Sequence, residues 1–326
     1  MDLPKTSFEK AVMYLPKRFR EDFLKLTSLQ RNDIQEIRLT VNKPIYIVKR
    51  GKISTFSDIG FTVTEKDIEE CVNSACEYSL HSYSSQLANG YITVCGGHRI
   101  GLCGTAVIND ETVTAVKNIS GLNIRIAKQI IGCADEIIKT VFNKEICGVL
   151  IAGSPASGKT TMLRDIARQL GKEHKVSVID ERSEIAATYR GVPQNDVGRF
   201  TDVFDSYDKP CGITVATRVM SPDIIICDEI GTEKEAEKIE TAALCGVKII
   251  ASVHAGSLKE LYNKKQIKKL IKKGIFEKII VLGNGENIGK IIDMEVKGDK
   301  AVRSNSFDNY GSSDGKNSFG KIIKAM

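Results

Sequence analysis

The chain has 326 residues, of which 42% are hydrophobic and 27% are charged, fractions that are ordinary for a soluble globular protein of one or two domains. Its 47 basic and 41 acidic residues give a net charge of +6, which permits nucleic acid or anionic lipid as a partner without indicating either. Nine cysteines in so long a chain do not make a disulfide scaffold. Residues 1–30 lack the apolar core of a signal peptide, and no apolar run approaches the roughly 20 residues that cross a bilayer. We therefore expect a cytoplasmic protein.

The first part of the chain predicts a small mixed α+β unit. Residues 7–29 place apolar side chains three or four positions apart, which predicts an amphipathic helix interrupted at Pro16. Residues 65–80 have the same spacing and predict a second helical segment. Alternating apolar and polar residues predict strand pairs over 34–51 and 90–108.

From about residue 130, short runs rich in Val and Ile alternate with helical segments. This alternation predicts a doubly wound α/β domain, in which helices cover both faces of a mostly parallel sheet. The predicted strands are ICGVLIAG (146–153), KVSVIDE (175–181), DIIICDE (223–229), GVKIIASVH (246–254) and EKIIVL (277–282). We expect an N-terminal coupling domain at 1–132, the α/β domain at 133–302, and a flexible tail rich in Ser, Asn, Gly and Asp at 303–326.

The loop after the first of these strands, GSPASGKT (153–160), fits the phosphate-loop pattern G-x-x-x-x-G-K-[ST] in full. Backbone N–H groups and the following helix N-terminus favour a bound phosphate there. The pattern assigns Lys159 to the β- and γ-phosphates and Thr160 to Mg²⁺. We expect ATP and Mg²⁺ as ligands, with nucleotide contacts from Gly153, Ser154, Pro155, Ala156, Ser157, Gly158, Lys159, Thr160 and Thr161.

Hydrolysis in such a site also needs carboxylates at a second strand end. The run DIIICDEIG ends in Asp228 and Glu229, at the carboxyl end of a strand, where open α/β sheets bind ligands. We expect Asp228 to hold the magnesium and Glu229 to activate the attacking water. A solvated strand end without such a role is the alternative.

Two other predicted strands end in polar residues, Glu181 and His254. If all the strands are parallel, these ends meet at the edge that carries the phosphate loop, and both side chains become candidates for the catalytic site. His254 is suited to a hydrogen bond with the γ-phosphate, although a lone histidine is more often structural.

An arginine, often from a neighbouring subunit, commonly stabilises the transition state of such reactions. Arg218, just before the acidic strand, is the preferred candidate. The sequence leaves four others open, which are Arg190, Arg199, Arg99 and Arg125.

The segment 261–274 contains six lysines, with Ile267, Leu270 and Ile271 on one helical face. A solvated helix packed by this apolar stripe is the preferred interpretation. Contact with anionic lipid or an inner-membrane partner is the alternative.

These motifs resemble, in order, four conserved segments of the secretion-type ATPases of type II and type IV secretion and pilus machines. The matching segments are the phosphate loop GSPASGKTT, the acidic segment VIDERSEI, the second acidic strand RVMSPDIIICDEI and the histidine segment TAALCGVKIIASVHAG. The resemblance implies a RecA-like P-loop NTPase domain that hydrolyses ATP. The chain departs from that family in being shorter and in having Asp228–Glu229 where many members have Gly-Glu.

A resemblance to the stage III sporulation protein AA family covers nearly the whole chain. It is carried by EIRLTVNKPIYIV, NGYITVCGGHRIGLCG, SGLNIRIAKQI, and IDERSEIA followed by GVPQNDVGRFTDVFD. It implies an ATPase that forms a ring hexamer and supports a secretion-like channel complex between mother cell and forespore. The implied partners are other stage III sporulation proteins of its operon, at the mother-cell side of the cytoplasmic membrane.

A nucleotide-gated nucleic-acid-binding P-loop protein is the alternative function, because the same core serves DNA and RNA motors. The chain has no Trp, its basic residues are dispersed, and no base-stacking run is evident, so nucleic acid is disfavoured as a partner. A P-loop scaffold that only binds ATP is disfavoured because every catalytic residue type is present.

Overall fold

The computed structural model describes residues 6–56, 62–109, 111–143 and 145–296. The chain divides into two units, with the boundary between Lys128 and Gln129. The expected tail at 303–326, and the predicted end of the α/β domain at residue 302, lie outside the described residues.

The first unit is built on an antiparallel sheet of six strands in the order β3-β2-β1-β6-β5-β4. Its strands are β1 (Ile34–Thr40), β2 (Tyr46–Lys49), β3 (Lys52–Thr55), β4 (Tyr91–Val94), β5 (His98–Asn109) and β6 (Thr112–Arg125). Its helices are α1 (Ser7–Val12), α2 (Lys17–Leu24), α3 (Ser28–Asp33), α4 (Glu65–Ala75) and α5 (Ser84–Ala88), with a 3-10 turn at Leu80–Tyr83.

The break predicted at Pro16 is confirmed. Pro16 lies between α1 and α2 and is the residue that caps the start of α2, where its missing N–H costs no helical hydrogen bond. On either side of it, Phe8, Phe19 and Phe23 are buried in the core of the first unit. The strand pairs predicted over 34–51 and 90–108 are also confirmed, as β1 with β2 and β4 with β5.

The second unit is built on a seven-stranded sheet in the order β13-β12-β7-β11-β10-β8-β9. All neighbouring strands are parallel except β12 and β13. The strands are β7 (Val149–Gly153), β8 (Val176–Asp180), β9 (Thr201–Asp205), β10 (Ile224–Cys227), β11 (Lys248–His254), β12 (Lys278–Leu282) and β13 (Ile291–Val296). The helices are α6 (Asp135–Val141), α7 (Lys159–Leu170), α8 (Lys209–Val219), α9 (Glu233–Leu244), α10 (Leu258–Asn263) and α11 (Lys265–Lys272), with a 3-10 turn at Gly285–Asn287.

Successive residues of the central strands enter two different cores. In β7, Val149 and Ile151 pack on one face of the sheet, and Leu150 and Ala152 pack on the other. Strands buried on both faces need apolar residues at every position, which explains the continuous Val and Ile runs of the sequence. The predicted doubly wound arrangement is therefore confirmed.

The lysine-rich segment forms α11 and part of α10. Ile267, Leu270 and Ile271 are buried, as the preferred interpretation predicted, while most of the lysines are exposed. Among the described residues, no helix is both long enough and apolar enough to span a bilayer.

Candidate nucleotide-binding site

The strand register brings the predicted site residues to one edge of the second sheet. Gly153, the last residue of β7, lies opposite His254 of β11. Cys227, the last residue of β10, lies opposite Ala251 of the same strand. Because β11 separates β7 from β10, the phosphate loop and Asp228 follow strands that are about 10 Å apart, two strand spacings.

The phosphate loop has a backbone that only certain residues allow. Gly158, which precedes α7, has a left-handed φ of 94°, and Ala156 has a φ of 59°. At Gly153, an added Cβ would lie 2.2 Å from the Oγ of Ser157. The two glycines of the motif are thus required by the shape of the loop, one for its dihedral angle and one for close packing.

Ser157 lies at the centre of the loop and is fully buried. The N–H of Gly289, in the connection between β12 and β13, donates to the Ser157 carbonyl at 3.0 Å. The Ser157 Oγ has no hydrogen-bond partner among the residues that the structure describes. A buried hydroxyl without a partner in this loop fits a polar ligand such as a phosphate.

Lys159, the first residue of α7, folds back over the loop. Its Nζ donates to the carbonyl oxygens of Gly153 at 2.8 Å and Ser154 at 2.9 Å. Partial burial lowers the pKa of Lys159, and the negative charge of Glu229 opposes that shift. Glu229, the predicted water-activating residue, is therefore close enough to Lys159 to interact with it electrostatically.

Asp228 and Glu229 are adjacent but have different surroundings. Glu229 is exposed, whereas Asp228 is 8% exposed and has its Oδ1 3.2 Å from the Nζ of Lys209. Burial raises the pKa of Asp228, and the positive charge of Lys209 opposes that increase. Lys209 begins α8 and did not stand out in the sequence. The one sequence signal for a special role of Lys209 was its position in the first turn of a helix, where a positive charge opposes the helix dipole.

The acidic segment after β8 has two distinct parts. The buried carboxylate of Asp180 accepts backbone N–H groups from Glu184, Ile185 and Ala186 at 2.8 to 3.2 Å, so it holds the following turn in shape. The half-buried Glu181 instead places its Oε2 2.9 Å from Lys209 Nζ. Glu181 thus shares the ammonium group of Lys209 with Asp228.

Arg218 lies away from the phosphate loop of its own chain. It is exposed in the last turn of α8, while Lys209, the first residue of that helix, contacts Asp228. The nine residue steps from Lys209 to Arg218 correspond to about 13 Å along the helix axis, and β10 starts only after Arg218. Arg218 and Lys209 therefore lie at opposite ends of α8, and the role of Arg218 stays a prediction.

The other candidate arginines have local contacts. Arg125 lies 3.7 Å from Glu36 within the first unit. Three others lie over aromatic rings: Arg99 over Tyr91, Arg190 over Tyr189 and Arg199 over Phe200.

The donor set fits a magnesium ion that is bound together with a nucleotide. Within the described part of the chain, no group of three or more His, Cys, Asp and Glu side chains could hold a metal ion alone. Thr160, in the first turn of α7, and Asp228 each offer oxygen at the same edge of the sheet. Mg²⁺ typically takes one or two protein oxygens and completes its shell with phosphates and water.

Comparisons with known proteins show the family of this chain and agree with its fold. The sequence matches the family described as sporulation stage III, protein AA, over residues 9–301. Stage III sporulation protein AA of Bacillus subtilis (strain 168) is 32% identical over 283 residues, which cover 85% of this chain and 91% of that protein.

Two solved structures of ATPases are similar in fold. The pilus retraction motor PilT with bound ADP has a TM-score of 0.55 at 15% identity, over 79% of this chain and 78% of that chain. The ATPase DotB of Legionella pneumophila has a TM-score of 0.52 at 16% identity, over 80% and 75% of the two chains. These similarities confirm the predicted RecA-like fold with a preceding α+β unit.

Proposed function

Because the chain belongs to the sporulation stage III protein AA family, we propose that it is an ATPase that acts in sporulation, binding Mg-ATP and hydrolysing it to ADP and phosphate. The observation that carries the proposal is the pairing of the phosphate loop with Asp228 and Glu229. They follow β7 and β10, parallel strands separated only by β11. A loop alone would account for binding, but the carboxylates beside it supply the groups that hydrolysis needs.

Each residue has a distinct role in the proposed reaction. Backbone N–H groups of the loop and of the start of α7 cradle the phosphates, and Lys159 leaves its carbonyl partners to contact the β- and γ-phosphates. Thr160 and Asp228 hold Mg²⁺, which neutralises charge on the phosphate oxygens when it is bound. Glu229, exposed and electrostatically coupled to Lys159, orients the attacking water.

Three further side chains complete the proposed site. His254, opposite Gly153 in the strand register, hydrogen-bonds to the γ-phosphate. Glu181 contacts Lys209, which also contacts Asp228, and so helps to hold Lys209 beside Asp228. Arg218 of a neighbouring copy contacts the transition state, so the active form is an oligomer, which we propose to be a homo-hexamer.

The biological setting is proposed from the family. The chain would work in the mother cell with other stage III sporulation proteins of its operon, at the cytoplasmic membrane face, where ATP hydrolysis powers or assembles a channel complex to the forespore. Its relative in Bacillus subtilis carries a sporulation name.

The direct test is substitution of the loop lysine and the proposed base. Lys159→Ala should abolish phosphate release and weaken binding of a fluorescent ATP analogue. Glu229→Gln should bind the analogue with nearly wild-type affinity and reduce the hydrolysis rate about 100-fold or more, as expected for loss of a general base. Lys234→Ala, at an exposed position of α9, is the control and should match the wild type. Continued steady-state phosphate release by Lys159→Ala would contradict the proposed site.

A further inference from the structure

The ammonium group of Lys209 lies among three carboxylates at the carboxyl edge of the second sheet. Its Nζ is 2.9 Å from Glu181 Oε2, 3.2 Å from Asp228 Oδ1 and 3.3 Å from Glu235 Oε1. These residues belong to different elements, since Glu181 follows β8, Asp228 follows β10 and Glu235 is in the first turn of α9. One side chain thus joins two neighbouring strand ends and a helix.

Neither helix stability nor packing explains a lysine at this position. Lys209 is the first residue of α8, where a positive charge opposes the helix dipole, and it is only 7% exposed. Burial disfavours its charged form, but the hydrogen bond to Glu181 and the charges of Asp228 and Glu235 outweigh burial and raise the pKa of Lys209. The carboxylates are what stabilise the charged lysine here.

The segment Asp228–Thr232, which carries Glu229, is held at both ends by partners of Lys209. Asp228 begins the segment and contacts Lys209 directly. At the other end, Glu235 Oε2 accepts the N–H groups of Gly231 at 2.7 Å and Thr232 at 2.8 Å, while its Oε1 faces Lys209. Both ends of the backbone around Glu229 are therefore connected to one ammonium group, in addition to the bond from the Ile230 N–H to the Ser252 carbonyl at 2.9 Å and the bond from Gln266 Nε2 to the Gly231 carbonyl at 3.0 Å.

We propose that Lys209 is a positioning residue for this site, whose ammonium group fixes the segment Asp228–Thr232 and so sets the directions in which Asp228 and Glu229 face the phosphate loop. The inference rests on the proposed function, because a nucleotide site is what gives these two carboxylates a role. Without Lys209 the three carboxylates repel one another, and Asp228 loses its fixed orientation.

The test compares Lys209→Met with the wild type and with Lys234→Met, which removes an exposed lysine from the neighbouring helix α9. Two properties are measured: the affinity for a fluorescent ATP analogue, in EDTA and in Mg²⁺, and the kcat and KM of phosphate release. In EDTA we expect the affinity of Lys209→Met within about twofold of wild type, because the loop is untouched. In Mg²⁺ we expect kcat to fall about tenfold or more with KM within about threefold, and the gain in affinity on adding Mg²⁺ to shrink.

Conservative rescue separates positioning from a general role in folding. Lys209→Arg keeps the charge and should recover a substantial part of the lost kcat, whereas Lys234→Met should behave as wild type in every assay. Because removing a buried counter-charge can prevent folding, Lys209→Met is also made together with Glu235→Gln and compared with Glu235→Gln alone. The double variant loses one charge of each sign and should show the same loss of kcat relative to its own control.

The outcomes distinguish the two proposals. A wild-type protein that neither binds nor hydrolyses ATP would contradict the proposed function itself. A wild-type enzyme with active hydrolysis, combined with an unchanged kcat and an unchanged Mg²⁺ effect in Lys209→Met, would overturn only the role of Lys209. An equal loss of affinity in EDTA and in Mg²⁺ would also overturn it, because that pattern indicates general damage to the site.

Discussion

Gly153 is the residue at which β7 becomes the phosphate loop, and the space beside it is already filled. A Cβ at this position would lie 2.2 Å from Ser157 Oγ and 3.1 Å from Ser157 Cβ, well inside normal contact. The glycine therefore serves close packing within the loop, which lets the backbone approach a phosphate.

A substitution at Gly153 tests this packing. Gly153→Ala should weaken binding of a fluorescent ATP analogue about tenfold, because overpacking of about 1 to 3 kcal/mol has to be relieved by moving Ser157 or the loop. The double variant Gly153→Ala with Ser157→Ala lacks the Ser157 Oγ that the new Cβ would meet, and it should recover part of the affinity. The effects of the two substitutions on binding are therefore expected to be non-additive. Equal affinities for Gly153→Ala and wild type would show that the loop tolerates the extra atom.

Single residues were predicted best where a motif fixes their chemistry. The loop residues and Asp228–Glu229 could be found because a phosphate site demands particular residue types at fixed spacing. Lys209 could not, because it belongs to the site only through contacts with Glu181, Asp228 and Glu235, which lie on elements distant in sequence. Arg218 was selected by its distance in sequence from the acidic strand, which says little about distance in the folded chain.

At the scale of elements, the start of α6 is fixed to the helix that follows the phosphate loop. Asp165, buried in α7, accepts the N–H of Ala134 at 2.8 Å and bonds to Arg168 and Gln169 on its own helix. Burial raises the pKa of Asp165, but these hydrogen bonds outweigh burial and lower it. The folded state therefore favours the ionised carboxylate.

This linkage predicts how stability depends on pH. A lowered pKa contributes stability above the unfolded value of about 4, and this contribution is lost as the pH falls through the folded value. Asp165→Asn should reduce the free energy of unfolding by about 1 to 3 kcal/mol at pH 7, and the difference from wild type should shrink below pH 4. Urea unfolding at several pH values measures both effects. Asp202→Asn, at an exposed position of β9, is the control, and a constant difference across the pH range would contradict the role of the charge.

Elements were predicted where their burial left a simple pattern. The central strands β7, β10 and β11 are covered on both faces, so β7 and β10 are continuously apolar and β11 is largely so. The edge strands β9 and β13 were missed, because one side of each lacks a neighbouring strand and polar residues interrupt the pattern. In the first unit β6 was missed although it is central, since its first half is largely exposed and carries polar residues.

At the scale of the whole molecule, the proposed role of Arg218 needs more than one chain. Lys209, at the start of α8, contacts Asp228, and Arg218 lies about 13 Å further along the helix axis. Arg218 is therefore not placed to contact a nucleotide bound to its own chain. A closed ring of identical copies would let one subunit supply Arg218 to the next.

Co-expression of two inactive variants tests this arrangement. Lys159→Ala lacks a functional loop and Arg218→Ala lacks the arginine, so each alone should hydrolyse ATP poorly. In a random mixture, about one interface in four combines an intact loop with an intact arginine, and ATPase activity should rise to roughly a quarter of wild type. No recovery in mixed oligomers of confirmed mass, measured by light scattering with ATP, would contradict a role for Arg218 between copies.

The hydrogen bond from Gly289 to Ser157 gives the far end of the described chain a part in the phosphate loop. A series of progressively shorter proteins, cut back from the C-terminus, should keep ATP affinity until the cut passes residue 289 and then lose it abruptly. Such a deletion series would assign a part in nucleotide binding to the hairpin of β12 and β13, although the whole predicted phosphate loop lies more than a hundred residues earlier.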